Sequence, residues 1–212
     1  MSDSPTDADL PAALFQRQDN SPDELFYAQP RLVTHIDDAT INALTEFYEE
    51  FLPQHCDLLD LMSSWISHLP ANTTYKSVTG HGMNAQELAA NPRLTDRVVQ
   101  DLNTNQTLPF VDASFDRATI VVSVQYLIEP VAVMQELLRV LRPGGKLCIA
   151  MSHRCFPTKA ILAFHQLSAQ DRVALVQEYL QRAGFKDITF VDRSPAGADP
   201  LWLVIGSKAR TN

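Results

Sequence analysis

Apolar and polar positions along the chain fall into short runs of strand length separated by stripes of helical period. The first stripe, DDATINALTEFYEEFLP from Asp37, places Ile41, Leu44, Phe47 and Phe51 near helical spacing, with Asp37 as N-cap and Pro53 as a stop. Strands and helices then alternate. DLLDLM (57–62) predicts a first strand; YKSVTG (75–80) predicts a second, ended by Gly80 and Gly82; AQELAANP predicts a short helix closed by Pro92; DRVVQDL (96–102) predicts a third strand. RATIVVSV (117–124) is apolar on nearly every residue, the mark of a strand covered on both faces. PVAVMQELLRVLRPGG follows as a helix, with Pro130 in its first turn, Val133, Leu137 and Leu141 as its stripe, and Gly144 and Gly145 ending it. KLCIAMS predicts a fifth strand, TKAILAFHQ a further helix, and SAQDRVALVQEYLQRAGF a last helix capped by Ser168 and stopped by Gly184.

The tail changes character. KDITFVDRS and PLWLVIGSK are two strands joined by PAGAD, a link too short for a crossover helix, so they must pair antiparallel. The whole reads as an α/β fold, a doubly wound, mostly parallel seven-stranded sheet ending in an antiparallel hairpin. Residues 1–24, rich in Asp, Ser, Pro and Gln, are expected to lack fixed structure or to drape over the domain, leaving 25–212 as one domain.

Composition narrows the function classes. With 17 basic and 25 acidic residues the net charge is -8, so the chain repels nucleic-acid phosphates and anionic lipid, and no basic run offsets this. Cys56, Cys148 and Cys155 match no zinc or redox spacing and read as reduced thiols, with Cys148 as core filler. No His-Cys or His-carboxylate spacing supports a metal site. The start carries no cationic, apolar signal pattern and no later apolar run reaches about 18 residues, so a soluble protein of a reducing compartment, most simply the cytoplasm, is expected.

In such a sheet, ligands sit where the strand C-termini meet the reversal of winding. The residues to read are Met62, Ser63, Ser64 and Trp65 after the first strand, and Gly80, His81, Gly82 and Asn84 after the second. Asp101, Leu102 and Asn103 follow the third, Val124, Gln125 and Tyr126 the fourth, and Ser152, His153 and Arg154 the fifth.

Residues 101–150, DLNTNQTLPFVDASFDRATIVVSVQYLIEPVAVMQELLRVLRPGGKLCIA, resemble the class I S-adenosylmethionine-dependent methyltransferases, in particular the small-molecule branch that includes the quinone-type enzymes. Asp101 at a strand end, LPF and SFD before the fourth strand, and E.LRVLRPGG before the fifth carry the resemblance, which extends at lower quality from about residue 53 to 206. It implies a Rossmann-like methyltransferase fold, S-adenosylmethionine as cofactor and a small-molecule methyl acceptor. It also implies that Asp101 accepts from the adenine amino group, that Leu102 offers main-chain contact to the ring, and that Asp60 lies near the methionyl amino group.

The family's D-x-G-x-G-x-G loop places its glycines on Met62, Ser64 and Ile66, and its ribose acid on Gly82. Ser63 and Ser64 are therefore expected to donate hydroxyls to the methionyl carboxylate, with Trp65 capping the loop and His81 or Asn84 standing in at the ribose. The cofactor set is Asp60, Met62, Ser63, Ser64, Gly80, His81, Gly82, Asn84, Asp101, Leu102 and Val124; His153, Tyr126 and Gln125 are the candidates for chemistry. Bland readings stand beside these: Asp101 as a turn cap, Ser63 and Ser64 as N-caps of a helix through WISHLP, and Gly80 and Gly82 as a tight turn. A methyltransferase-like binding or regulatory protein without transfer is the alternative function. The N-terminal segment and SHRCFPTKAILAF are expected to close the site.

Overall fold

The structure, a computed structural model, describes residues 10–210. Strands β1 (Asp57–Leu61), β2 (Ser77–Gly82), β3 (Asp96–Val99), β4 (Phe115–Val121), β5 (Leu141–Met151), β6 (Lys186–Asp192) and β7 (Trp202–Ser207) form one seven-stranded sheet in the order β3-β2-β1-β4-β5-β7-β6. The first five pair in parallel, and β7 runs antiparallel between β5 and β6. Winding reverses between β1 and β4, which opens a crevice above their C-terminal ends.

Helices cover both faces: α1 (Asp23–Tyr27), α2 (Asp38–Phe51), α3 (Ala85–Ala90), α4 (Pro130–Val140), α5 (Leu162–Gln166) and α6 (Ala169–Ala183). On one face α4 and α6 pack with Leu59, Ile120 and Ile149; on the other α2 and α3 pack Leu44, Phe47 and Leu88 over Leu58, Val78 and Cys148. Every residue of β1 is buried for this reason. Val133, Met134, Leu137 and Val140 of α4 are fully buried, each worth about 2 kcal/mol. Asp37 caps α2 by accepting from Thr40 N, Ser168 caps α6 by accepting from Asp171 N, and Gly184 closes α6 at φ +98°.

Four local expectations are corrected. β2 runs on to Gly82 because Leu61 pairs with His81 and Gly82 with Val99, so the two glycines lie inside the strand. No helix follows β1: residues 62–76 cross to β2 as irregular chain. The Pro143-Gly144-Gly145 turn falls inside β5, since α4 already ends at Val140. TKAILAFHQ keeps only the short helix α5.

Residues 10–24 lie on the domain. Leu10, Leu14 and Phe15 pack against the core. The ammonium of Lys159, which has no exposed surface, pairs with Asp19 at 3.1 Å and Asp23 at 3.0 Å, and Arg17 pairs with Asp23 at 2.8 Å. Asn103 donates to Asp23 (2.8 Å) and to Tyr126 O (2.9 Å), tying this segment to the loops after β3 and β4.

Candidate functional site

The crevice holds a cleft whose floor is the ends of β1 to β4 and whose roof is the segment from Asp23 to Ile36. Of the residues singled out in the sequence, Asp60, Met62, Ser63, Ser64, His81, Gly82, Asn84, Asp101, Leu102 and Tyr126 line it. Gly80, Val124, Gln125 and His153 do not. Gly80 faces the core, where an added Cβ would lie 2.3 Å from Leu94 Cδ1. Val124 is fully buried in the apolar core. Gln125 is buried and donates to Val122 O and Arg154 O. His153 turns outward, its Nε2 3.2 Å from Asp199 Oδ1 beside Arg154.

The turn after β1 keeps a glycine-like backbone without glycine. Met62 sits at φ +57°, a left-handed conformation that costs an L-residue about 1 kcal/mol. Val122, at the end of β4, is at φ +47°, and His68 at φ +52°; both also line the cleft. From Met62 the chain swings over β2: Ser63 N donates to His81 O at 2.7 Å, and the Ser63 carbonyl lies where a Cβ on Gly82 would be, 2.3 Å away. A carboxylate at position 82 has no room here.

The two serines hold the turn by their protons. Ser63 Oγ donates to Asp60 Oδ2 at 2.6 Å, and Ser64 Oγ donates to Glu87 Oε2 at 2.7 Å. Neither hydroxyl proton is free for a ligand carboxylate, contrary to the expectation from sequence; what these hydroxyls offer is lone pairs. Asp60 is almost fully buried, and burial raises its pKa against the pull of Ser63, Ser67 and Thr119. Asn84 is committed at both ends: its Oδ1 caps α3 through Gln86 N and Glu87 N, and its Nδ2 donates to Tyr27 O at 2.8 Å. Asp101 closes its own turn, accepting from Asn103 N and Thr104 Oγ1. The turn-cap reading therefore holds alongside its place on the cleft wall.

His81 differs from these. It is 1% exposed, and burial lowers its pKa to about 4 against the weaker opposing pull of Gln100 and its own main chain, neither of which lies in good hydrogen-bond geometry to a ring nitrogen. A neutral imidazole, with one donor and one acceptor to satisfy, thus lines the cleft without a well-formed hydrogen bond. Ser123 Oγ is a second buried, unpartnered atom on the same wall. Buried polar groups without partners are rare, and here they mark a place for a polar ligand.

Beyond the sequence expectations lie one acid and most of the roof; the sequence places closure only on the N-terminal segment, reached here at Asp23, and on SHRCFPTKAILAF. Glu87 is buried on α3 and lines the cleft; its Oε1 accepts from Arg31 N at 2.7 Å. Its only sequence signal is an acid in the first turn after β2. Tyr27, Arg31 and His35 come from the roof, and Phe156 from the segment after β5, where closure was expected. Burial raises the pKa of Tyr126 to about 12 and that of Tyr27 further, so both phenols stay protonated. Trp65 anchors the roof by donating to Val33 O at 2.9 Å. Among the described residues no group of three or more His, Cys, Asp or Glu side chains is arranged to hold a metal ion, and no helix is long and apolar enough to cross a membrane.

Residues 63–149 match the methyltransferase domain family. O-methyltransferase resE of Aspergillus sclerotiorum is 30% identical over 134 residues, covering 58% of this chain and 51% of that protein, so the chain spans about half of that relative's length. Two solved structures are similar in fold. The [4+2]-cyclase SpnF has a TM-score of 0.60 at 19% identity, covering 79% of this chain and 81% of that one. Phosphoethanolamine N-methyltransferase 2 of Haemonchus contortus, in complex with S-adenosyl-L-methionine, has a TM-score of 0.58 at 15% identity, covering 82% and 53%.

Proposed function

We propose that this chain, which carries a class I methyltransferase domain on the seven-stranded fold of that class, is an S-adenosylmethionine-dependent methyltransferase acting on a small molecule in the cytoplasm. The observation that carries the reading is His81: a buried, neutral imidazole without a well-formed hydrogen bond at either nitrogen, lining a cleft at the topological switch point. The donor set suits an adenosyl amino acid. Asp101 and Leu102 would meet the adenine edge, His81 and Glu87 the ribose hydroxyls in place of an acid at position 82, and the lone pairs of Ser63, backed by Asp60, the ammonium.

When bound, S-adenosylmethionine supplies a methyl group already activated on a sulfonium. The chain's own work is to align an acceptor with it and exclude water, which the roof residues Tyr27 and His35 and the phenol of Tyr126 are placed to do. No strong base is required of the side chains.

A second reading has its own observation. The Ser63 carbonyl over Gly82 removes the usual site for a ribose carboxylate, a loss of about 1.5–3 kcal/mol, which suits a protein that kept the scaffold for binding or regulation without transfer. Calorimetry with S-adenosylmethionine and S-adenosylhomocysteine separates the two. Micromolar binding of both supports the enzyme; absence of heat at millimolar ligand, with His81→Gln indistinguishable from wild type, refutes it.

A further inference from the structure

Among the described residues, Arg31 is the only lysine or arginine lining the cleft. Its guanidinium carbon lies 4.4 Å from the ring centroid of Phe26, 5.3 Å from that of Phe156 and 5.8 Å from that of Tyr27. Nη2 donates to Phe26 O at 2.8 Å, but Nη1 is buried without a partner, and no carboxylate among the described residues forms an ion pair with this side chain. A guanidinium nitrogen removed from water and left unbonded is costly, and the cost is relieved when an anionic oxygen reaches it. The main chain fixes the group in place: Arg31 N is bonded to Glu87 and the preceding turn to Asn84. Around it Phe156 stacks on Tyr126 at 5.8 Å and 25°, and His35 meets Phe156 edge-on at 5.2 Å, so the cation stands against a wall of planar rings.

The rest of the cleft sharpens the point. Its other charged groups are carboxylates, Asp23, Asp60, Glu87 and Asp101, and the two serine hydroxyls beside them have given their protons to Asp60 and Glu87. Any anion entering must avoid that half and go to Arg31. We propose that Arg31, walled by Tyr27, Phe156 and Tyr126, is the carboxylate-binding subsite of the cleft. Two ligands carry the required group: the amino-acid end of the cofactor, and a planar aromatic acid as methyl acceptor. The inference rests on the cleft being the ligand site proposed above, but its second arm runs without any cofactor.

The test is a pair of comparisons on wild type, Arg31→Gln and Arg31→Lys, followed by calorimetry and by the fluorescence of Trp65 on the cleft wall. The first sets S-adenosylhomocysteine against 5′-methylthioadenosine, which lacks the amino-acid end. The second sets 3,4-dihydroxybenzoate against 3,4-dihydroxybenzyl alcohol. A charge-assisted hydrogen bond predicts a preference for the carboxylate of about tenfold or more in at least one pair, abolished in Arg31→Gln and partly kept in Arg31→Lys. Loss in the first pair assigns the subsite to the cofactor, and loss in the second to the acceptor. Wild-type protein that ignores S-adenosylhomocysteine but keeps the benzoate preference refutes the methyltransferase reading and leaves the subsite standing. The subsite is overturned if neither pair discriminates in wild type, or if Arg31→Gln, with an unchanged far-ultraviolet spectrum, keeps every preference.

Discussion

Replacing Gly82 by Asp puts back the acid that the resemblance leads one to look for, and the structure predicts harm from it. A Cβ at this position would sit 2.3 Å from Ser63 O and 3.2 Å from Leu88 Cδ2, and the first contact is with main chain, which cannot rotate aside. Relief requires the turn after β1 to lift, giving up the bond from Ser63 N to His81 O and loosening that from Ser63 Oγ to Asp60. Overpacking costs about 1–3 kcal/mol and a lost buried hydrogen bond about 1 more, so the expected destabilisation is about 2–4 kcal/mol. Gly82→Ala carries the same Cβ without the charge and separates the two effects. Urea unfolding at constant m-value measures stability, and calorimetry measures S-adenosylmethionine affinity on the same samples. Both variants are expected to lose stability alike and neither to bind more tightly. If Gly82→Asp tightens binding while Gly82→Ala costs less than about 0.5 kcal/mol, the turn does not lie over β2 and the account of the site fails.

Three further outcomes follow from the same geometry. His81 and His68 both have pKa values lowered by burial from 6.5 to about 4, so the unfolded chain binds the extra protons; stability is flat above pH 6.5 and falls as pH drops from 6.5 toward 4. For His81 the gap is worth about 3 kcal/mol, and urea midpoints of His81→Gln that fall as steeply as wild type between pH 7 and 4.5 would contradict it. Lys159→Met leaves buried Asp23 with Arg17 as its one cation beside the Asn103 amide and is expected to cost about 3 kcal/mol, with proteolysis of the native protein beginning within residues 10–24; an unchanged digestion pattern argues against the tie. Of the thiols, Cys155 is expected to react first with a disulfide reagent in native protein, because Cys148 has no exposed surface and burial raises Cys56 to about 11; equal rates for all three would show the core opening.

What the sequence disclosed was periodic, and what it concealed was conditional on partners. The apolar run from Arg117, the capped stripe from Asp37 and the Ser168 to Gly184 helix each repeat a local signal over enough residues to outvote noise, and each appears with nearly the expected bounds. The Gly80 and Gly82 positions misled because glycine marks both turns and close approaches; only the packing of Leu94 and of Ser63 O separates the two. WISHLP could not be told from a helix start without knowing that Ser63 and Ser64 bond to Asp60 and Glu87 across the cleft. Arg31 gave no signal at all, since its value lies in an unbonded nitrogen among rings drawn from residues 26 to 156.

These details explain how the chain manages without the glycine loop of the family it resembles. Glycine in such a loop supplies a left-handed turn and a bare backbone against the ligand. Here Met62 takes the left-handed turn, and the strain of about 1 kcal/mol is offset by packing of its side chain on the core and by three bonds just beyond it, Ser63 N to His81 O and the two serine hydroxyls to Asp60 and Glu87. That fixes the turn but uses up the donors a carboxylate would need, and it places a carbonyl over the end of β2. Both duties then fall to groups brought from elsewhere. Glu87 and His81 face the cleft where the acid at 82 is missing, and Arg31 on the roof is the cation that the floor lacks. The roof is thus part of the site rather than a cover on it: with its contacts to Asn84, Glu87 and Trp65 cut, the floor alone presents the carboxylates of Asp60, Glu87 and Asp101 and, among the described residues, no lysine or arginine.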